Sequence, residues 1–359
     1  MAAATATAAR WAGALSTVVV LLTTACSASD QPDGEGAAPE PSATPSPMTS
    51  ESPAPAPTTS AAPTPRPAPP ALPAYFDRGF SGGGLRLGAV RERMPDYTSY
   101  DVTYRSEDLR ISGVLNVPTG RGPFPAVVLA HGYIDPAFYV RGQGMTRERG
   151  TLARAGYVAL HVDYRNHAES GDDPSAMRNF RTAYAVDVIN AVHALRRSDD
   201  VPVDDDKVAV MGRSMGGGVV YKVLEMAPGL VGAGIAYSPV STLEADNFNQ
   251  FNRDGDRQEL VRYVDRRWGL PEERSRENDE LWESVSARTY LDRITEPVLI
   301  VQGRNDDTCP PAWARATQRA MVAAGVDSRL ELYDDGHAFG PQYTASMERI
   351  VAFLDRRLG

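Results

Sequence analysis

The stretch Lys207-Val208-Ala209-Val210-Met211-Gly212-Arg213-Ser214-Met215-Gly216-Gly217 sets a short apolar run directly before a serine flanked by glycines. Residues 207–211 read as a strand, because a short, nearly continuous apolar run is how a strand covered on both faces looks. Residues 214–227 read as a helix closed by Pro228-Gly229. A G-x-S-x-G motif between a strand and a helix has the context of a nucleophile elbow. Such a turn is tight enough to force Ser214 into strained backbone, and a side chain at Gly212 or Gly216 would collide with neighbouring chain. It holds the hydroxyl up at the positive end of the following helix.

The pattern continues on both sides of this unit. Short apolar runs at 126–130, 157–162, 231–237, 297–301 and 329–333 read as further strands. Segments 145–155, 182–197, 312–324 and 344–357 read as helices between or after them. Within 182–197, Ala185, Val188, Ile189, Val192 and Leu195 mark one helix face. Alternating strands and helices predict a mostly parallel sheet covered on both faces. Two leading strands, 100–105 and 109–117, are expected to pair antiparallel at one edge. Between residues 241 and 290 the alternation breaks into polar, charged, partly helical sequence, which reads as a small lid insertion over the carboxyl edge of the sheet.

A serine hydroxyl is a weak nucleophile and needs a base within hydrogen-bond reach. Of the five histidines, His193 reads as a surface or boundary residue of a helix and His161 as a packed strand residue. His167 lies in a loop before the serine, and His131 opens His131-Gly132-Tyr133 after a strand. His337, in Asp334-Asp335-Gly336-His337-Ala338-Phe339-Gly340, is the one histidine after Ser214. In this type of unit the partners follow the order serine, acid, histidine, so His337 is the expected base. The acid should lie in the loop after strand 297–301, where Asp306 and Asp307 compete and periodicity does not separate them. Asp334 and Asp335 are too near His337 in sequence to reach round to it. Oxyanion donors are expected at the backbone N–H of Met215, which follows the nucleophile, and of Tyr133, which follows Gly132.

Taken together, Ala130-His131-Gly132, Gly212-Arg213-Ser214-Met215-Gly216-Gly217, residues 297–303 with Asp306-Asp307, and Gly336-His337 resemble the prolyl-oligopeptidase-type branch of the α/β hydrolases. Dienelactone-hydrolase-like and acetyl-esterase-like relatives resemble the chain almost as well. The likeness covers about residues 98–357, including Tyr290-Leu291-Asp292-Arg293-Ile294. It implies an α/β-hydrolase fold, a Ser-His-Asp acyl-enzyme mechanism without cofactor or metal, and Asp306 rather than Asp307 as the acid. Where such sequences commonly carry valine this chain has Cys309, which reads as packing. No propeller domain is expected ahead of the hydrolase, and the gating that restricts large oligopeptidases to short peptides is expected to be missing with it. The leading expectation is therefore a small-molecule ester substrate, with short peptides or aminoacyl amides second. An inactive binding protein is a remote third.

The first 74 residues read differently. Residues 11–22 form an apolar run of signal-peptide length, too short to span a bilayer. The run ends in Leu21-Leu22-Thr23-Thr24-Ala25-Cys26, similar to a bacterial lipoprotein signal with Cys26 as the lipidated residue. Residues 1–26 are thus expected to be a signal peptide, with Cys26 as the sole link to a membrane and secretion as the alternative. Residues 27–74 hold no aromatic residue and 14 of the 28 prolines. They have too little apolar surface to offset the entropy of ordering, and read as a linker to a catalytic domain at 75–359. A net charge of −9 argues against a nucleic-acid partner.

Weaker signals remain. Asn252-Arg253-Asp254-Gly255-Asp256 lacks the ligand spacing of a calcium loop. Tyr263, Trp268 and Trp282 could line a substrate pocket or pack the insertion. Glu244 or Asp246 could anchor a free amine and so favour aminopeptidase action.

Overall fold

The computed structural model describes residues 71–253, 257–273 and 275–359. The signal-peptide and Cys26 readings, most of the linker, and residues 254–256 lie outside them. Residues 71–74, assigned to the linker by composition, lead into the fold: Leu72–Tyr75 form a 3-10 turn whose Leu72 is fully buried.

In chain order the strands are β1 (Gly83–Arg93), β2 (Tyr97–Ser106), β3 (Leu109–Pro118), β4 (Phe124–Ala130), β5 (Val158–Val162), β6 (Val203–Arg213), β7 (Ala233–Tyr237), β8 (Val298–Gly303) and β9 (Ser328–Tyr333). Among the described residues they form one sheet in the order β1-β2-β3-β5-β4-β6-β7-β8-β9. From β5 onward the strands run parallel; β1, β2 and β3 join antiparallel at one edge. This is the α/β-hydrolase architecture expected from the sequence, extended by β1. That strand was not predicted. It is an edge strand in which only Leu85 is buried and Leu87 packs partly against the core, so its apolar signal is too short to mark it and pairing with β2 holds it in place.

The helices are α1 (Thr146–Arg154), α2 (Thr182–Arg196), α3 (Met215–Met226), α4 (Glu244–Asn252), α5 (Gln258–Trp268), α6 (Arg276–Val285), α7 (Pro311–Ala323) and α8 (Tyr343–Leu358). The central strands feed two separate cores because successive side chains point to opposite faces. On β4, Ala126, Val128 and Ala130 join the core under α2 and α3, while Val127 and Leu129 join the one under α1 and α8. Full burial of a side chain such as Leu129 contributes about 1.5–3 kcal/mol relative to exposure.

Helices α4, α5 and α6 occupy the segment read as an insertion and carry a third apolar cluster. There Phe180, Phe248, Trp268, Leu281 and Trp282 are buried together. Tyr263 stacks edge-on against Trp268, with ring centres 5.4 Å apart. The aromatic residues considered as pocket lining are packed among themselves.

Pairing places Ala130 beside Gly212, Arg213 beside Tyr237 and Gly303 beside Tyr333. The ends of β4, β6, β8 and β9 therefore lie along one edge of the sheet. The order β5-β4-β6 reverses the winding there, which opens a crevice above the strand ends.

Candidate active site

Ser214 sits at the tip of the turn from β6 into α3 with φ +56° and ψ −120°, a conformation costing about 1–3 kcal/mol for a residue with a Cβ. The surroundings over-determine it. Its backbone N–H donates to Tyr237 O at 3.0 Å, and its carbonyl accepts from Gly217 and Val240. A Cβ at Gly212 would overlap the carbonyl of Gly216, and one at Gly216 would overlap the carbonyl of Ala130. Both glycines are thus required by close backbone approach. The loop after β4 passes equally near: a Cβ at Gly132 would lie 3.2 Å from the Ser214 Cβ.

Asp306, in the loop after β8, is buried, and its Oδ2 accepts from His337 Nδ1 at 2.8 Å. Gln302 Nε2 donates to the same oxygen at 2.8 Å, and the N–H groups of Thr308 and Cys309 donate to Oδ1 at 3.0 and 2.8 Å. Four donors fix this carboxylate. Asp307 is exposed and, among the described residues, accepts only from the Thr308 hydroxyl. The structure separates two residues that periodicity could not.

The loop carrying His337 is clamped from several directions, none of them visible in the sequence. Asp335 accepts from the backbone N–H groups of Gly336, Gly340 and Gln342 at 2.8–2.9 Å. Burial raises its carboxyl, but those three donors outweigh burial and hold it below the usual range. Asp334 pairs with Arg304 at 3.0 Å. Arg213, the residue before the serine, donates to His337 O at 2.9 Å and pairs with buried Glu148 at 3.2 Å. The elbow and the histidine loop are joined through that one guanidinium.

Among the described residues no hydrogen bond links the Ser214 hydroxyl to the His337 ring. The Ser214 side chain instead lies near enough to the Cys309 thiol to act on its ionisation. Burial and the charge of Asp306 push that thiol up to about 12, against a lowering effect of the serine. Cys309 is buried as expected, and it also lies near the residue read as the nucleophile.

His131 lies beneath the Gly132 loop. Its Nδ1 donates to Gly132 O at 2.6 Å, and its carbonyl accepts from Tyr164 at 3.1 Å. It stacks on Tyr139 and His161 at ring distances of 4.8 and 5.4 Å. Burial first, then its neighbours His161 and His167, push the imidazole down to about 3. His167, whose loop could have approached the site, is buried in this stack. His193 is half-buried on α2.

A cavity of about 120 Å³ opens beside Ser214. Tyr133, Met215, Val240 and Phe251 form its apolar walls, and Arg181 and Arg257 its polar ones. Glu244 is occupied by Arg181 and Lys222 at 3.5 and 3.4 Å, and Asp246 accepts from the Ser241 hydroxyl.

Residues 145–359 match the family model described as the prolyl oligopeptidase family. The chain is 27% identical over 279 residues to dipeptidyl aminopeptidase BIII of Pseudoxanthomonas mexicana, covering 73% of this chain and 36% of that protein. It is 25% identical over 237 residues to the uncharacterized peptidase YuxL of Bacillus subtilis, covering 64% of this chain and 34% of that one. The chain thus spans about a third of the length of these two relatives. The fold also matches acetyl xylan esterase 1 from Thermoanaerobacterium sp., with a TM-score of 0.58 at 18% identity, over 80% of this chain and 95% of the esterase. The match over residues 145–359, more than half of the sequence, on this fold makes the chain a member of the prolyl oligopeptidase family.

Proposed function

We propose that the chain hydrolyses a small ester through an acyl-enzyme intermediate, with Ser214 as nucleophile, His337 as base and Asp306 as its orienting acid. The observation that carries this reading is the convergence, at one sheet edge, of a strained serine elbow with a histidine already held by a buried, fully engaged carboxylate. Ser214 Oγ attacks the acyl carbon while His337 Nε2 takes its proton. The imidazolium, paired with Asp306, returns that proton to the leaving oxygen. Water then repeats the sequence and frees the acid. The N–H groups of Met215 and Tyr133 would receive the developing oxyanion; Met215 opens α3, where first-turn N–H groups have no intrahelical acceptor. The serine–imidazole hydrogen bond forms on substrate binding, as catalytic hydrogen bonds often tighten only in the complex.

Ester cleavage is favoured over aminopeptidase action by the charge beside the serine. A free ammonium would need an unoccupied carboxylate, yet Glu244 already serves two cations and two arginines line the cavity. The experiment is labelling with a fluorophosphonate, followed by rates on p-nitrophenyl esters against aminoacyl p-nitroanilides. Labelling that persists in Ser214→Ala would end the assignment, and faster anilide turnover would reverse ester and peptide. On the N-terminal sequence we further propose export with lipidation at Cys26, tested by mass spectrometry of the mature N-terminus.

A further inference from the structure

We infer that the cavity beside Ser214 binds a small anionic group of the substrate, a carboxylate on either its acyl or its leaving side, between Arg181 and Arg257. This deepens the ester-hydrolase reading and rests on Ser214 being the nucleophile.

The first observation is charge. A smaller cavity of about 20 Å³ shares Arg181, Met215 and Val240 with the one beside the serine and adds Lys222 and Glu244. Among the described residues lining the two, three cations face a single carboxylate. Glu244 is shared between Arg181 and Lys222, and no described carboxylate pairs with Arg257. Among the described residues the partners of Arg257 are neutral, the Asn252 side-chain oxygen at 3.0 Å and the Tyr133 ring at 4.2 Å. In a chain of net charge −9 the described lining beside the reacting hydroxyl is thus locally positive.

The second observation is local geometry. Phe180 and Arg181 both adopt left-handed backbone, at φ +50° and +62°, so two consecutive residues with side chains carry strain where α2 begins. Strain of this kind is kept where surrounding structure holds a side chain for a task. The Arg181 Nε is buried and has no acceptor among the described residues. A guanidinium presents donors in a fixed fork suited to a carboxylate. At about 120 Å³ the cavity is small beside the ~300–1,000 Å³ of drug-sized ligand sites, so the group it takes is short.

Two matched pairs of esters test this: p-nitrophenyl hydrogen glutarate against p-nitrophenyl valerate for the acyl side, and 4-acetoxybenzoate against 4-acetoxybenzamide for the leaving side. The readout is the anionic-to-neutral ratio of kcat/KM, with active enzyme counted by fluorophosphonate titration. In at least one pair the wild-type ratio should fall on the order of 10–100-fold in Arg257→Gln and in Arg181→Gln, and Arg257→Lys should restore part of it. A ratio unchanged by both glutamine variants, in protein that still labels, overturns the anion site and leaves the nucleophile standing. Wild-type protein that neither labels nor cleaves any of the four esters overturns both.

Discussion

Asp306 and His337 meet at 2.8 Å although 31 positions apart in sequence, delivered by the loops that leave the adjacent parallel strands β8 and β9. Because the carboxylate is also held by Gln302, Thr308 and Cys309, it is a rigid acceptor that selects the Nδ1-protonated imidazole and leaves Nε2 free. Asp306→Asn offers an amide that can turn its NH₂ toward the ring and favour the wrong tautomer. Turnover should drop by roughly 10⁴-fold, as in other triads. Asp307→Asn, on an exposed side chain, should change turnover little. Steady-state kinetics on any cleaved ester decides; the opposite pattern would move the acid to Asp307.

The elbow itself makes a second prediction. Gly216→Ala places a methyl group onto the carbonyl of Ala130, so either α3 retreats or the end of β4 gives way. Overpacking of this kind costs about 1–3 kcal/mol or more, and the displaced segments are the ones bearing Ser214 and Gly132. Activity should therefore fall by a larger factor than stability, read as kcat/KM against the denaturant midpoint. An active, merely destabilised variant would show that the turn tolerates the side chain.

What could be read ahead of the structure was what local chemistry writes into sequence. The buried strands announce themselves because residues such as 126–130 are apolar on both faces, and Gly212-Arg213-Ser214 because the elbow demands glycine. β1 left little trace, since its side chains other than Leu85 and Leu87 face solvent rather than the core. The contacts that assemble the site were equally hidden. Arg213 bonding the His337 carbonyl, Asp335 clamping its own loop, and Arg257 lying over Tyr133 all depend on where distant segments converge. No period or motif encodes that. Cys309 is the intermediate case: its burial was legible, its nearness to Ser214 was not.

The burial of Cys309 yields a third expectation. A thiol pushed up to about 12 by burial and by Asp306 is uncharged at neutral pH, and thiolate is the reactive form. Native protein reduced beforehand should leave Cys309 unmodified by Ellman's reagent or iodoacetamide, with full reaction after denaturation. Rapid modification of Cys309 in the folded state, located by peptide mapping, would mean that the loop after β8 opens far more than its buried contacts imply.

The histidine stack under the Gly132 loop should make the fold acid-sensitive well above the carboxylate range. An unfolded chain protonates such a ring below about pH 6.5, whereas folded His131 stays neutral down to about 3 because it is buried beside His161 and His167. Burial lowers His161 and His167 in the same direction. Between those limits the unfolded state binds more protons, so stability is complete above about pH 6.5 and declines as pH falls through the window. One ring alone approaches about 1.4 kcal/mol per pH unit there, or roughly 2–4 °C in Tm for a domain near this size. Most carboxylates add their own loss only below roughly pH 4, but burial raises Glu225 and Asp187, which strengthen the fold as pH falls. The imidazole share of a melting series from pH 7.5 to 5 is therefore read as the difference between wild type and a variant lacking one ring. His131→Phe keeps a ring between Tyr139 and His161 while removing one proton site, and should flatten the profile. Since His131 also holds the Gly132 carbonyl at 2.6 Å, the same variant should lose ester turnover at pH 7.5, where no protonation is involved. A His131→Phe variant whose Tm falls as steeply as that of the wild type would show the stack to be open to protons in the folded state, contrary to its burial.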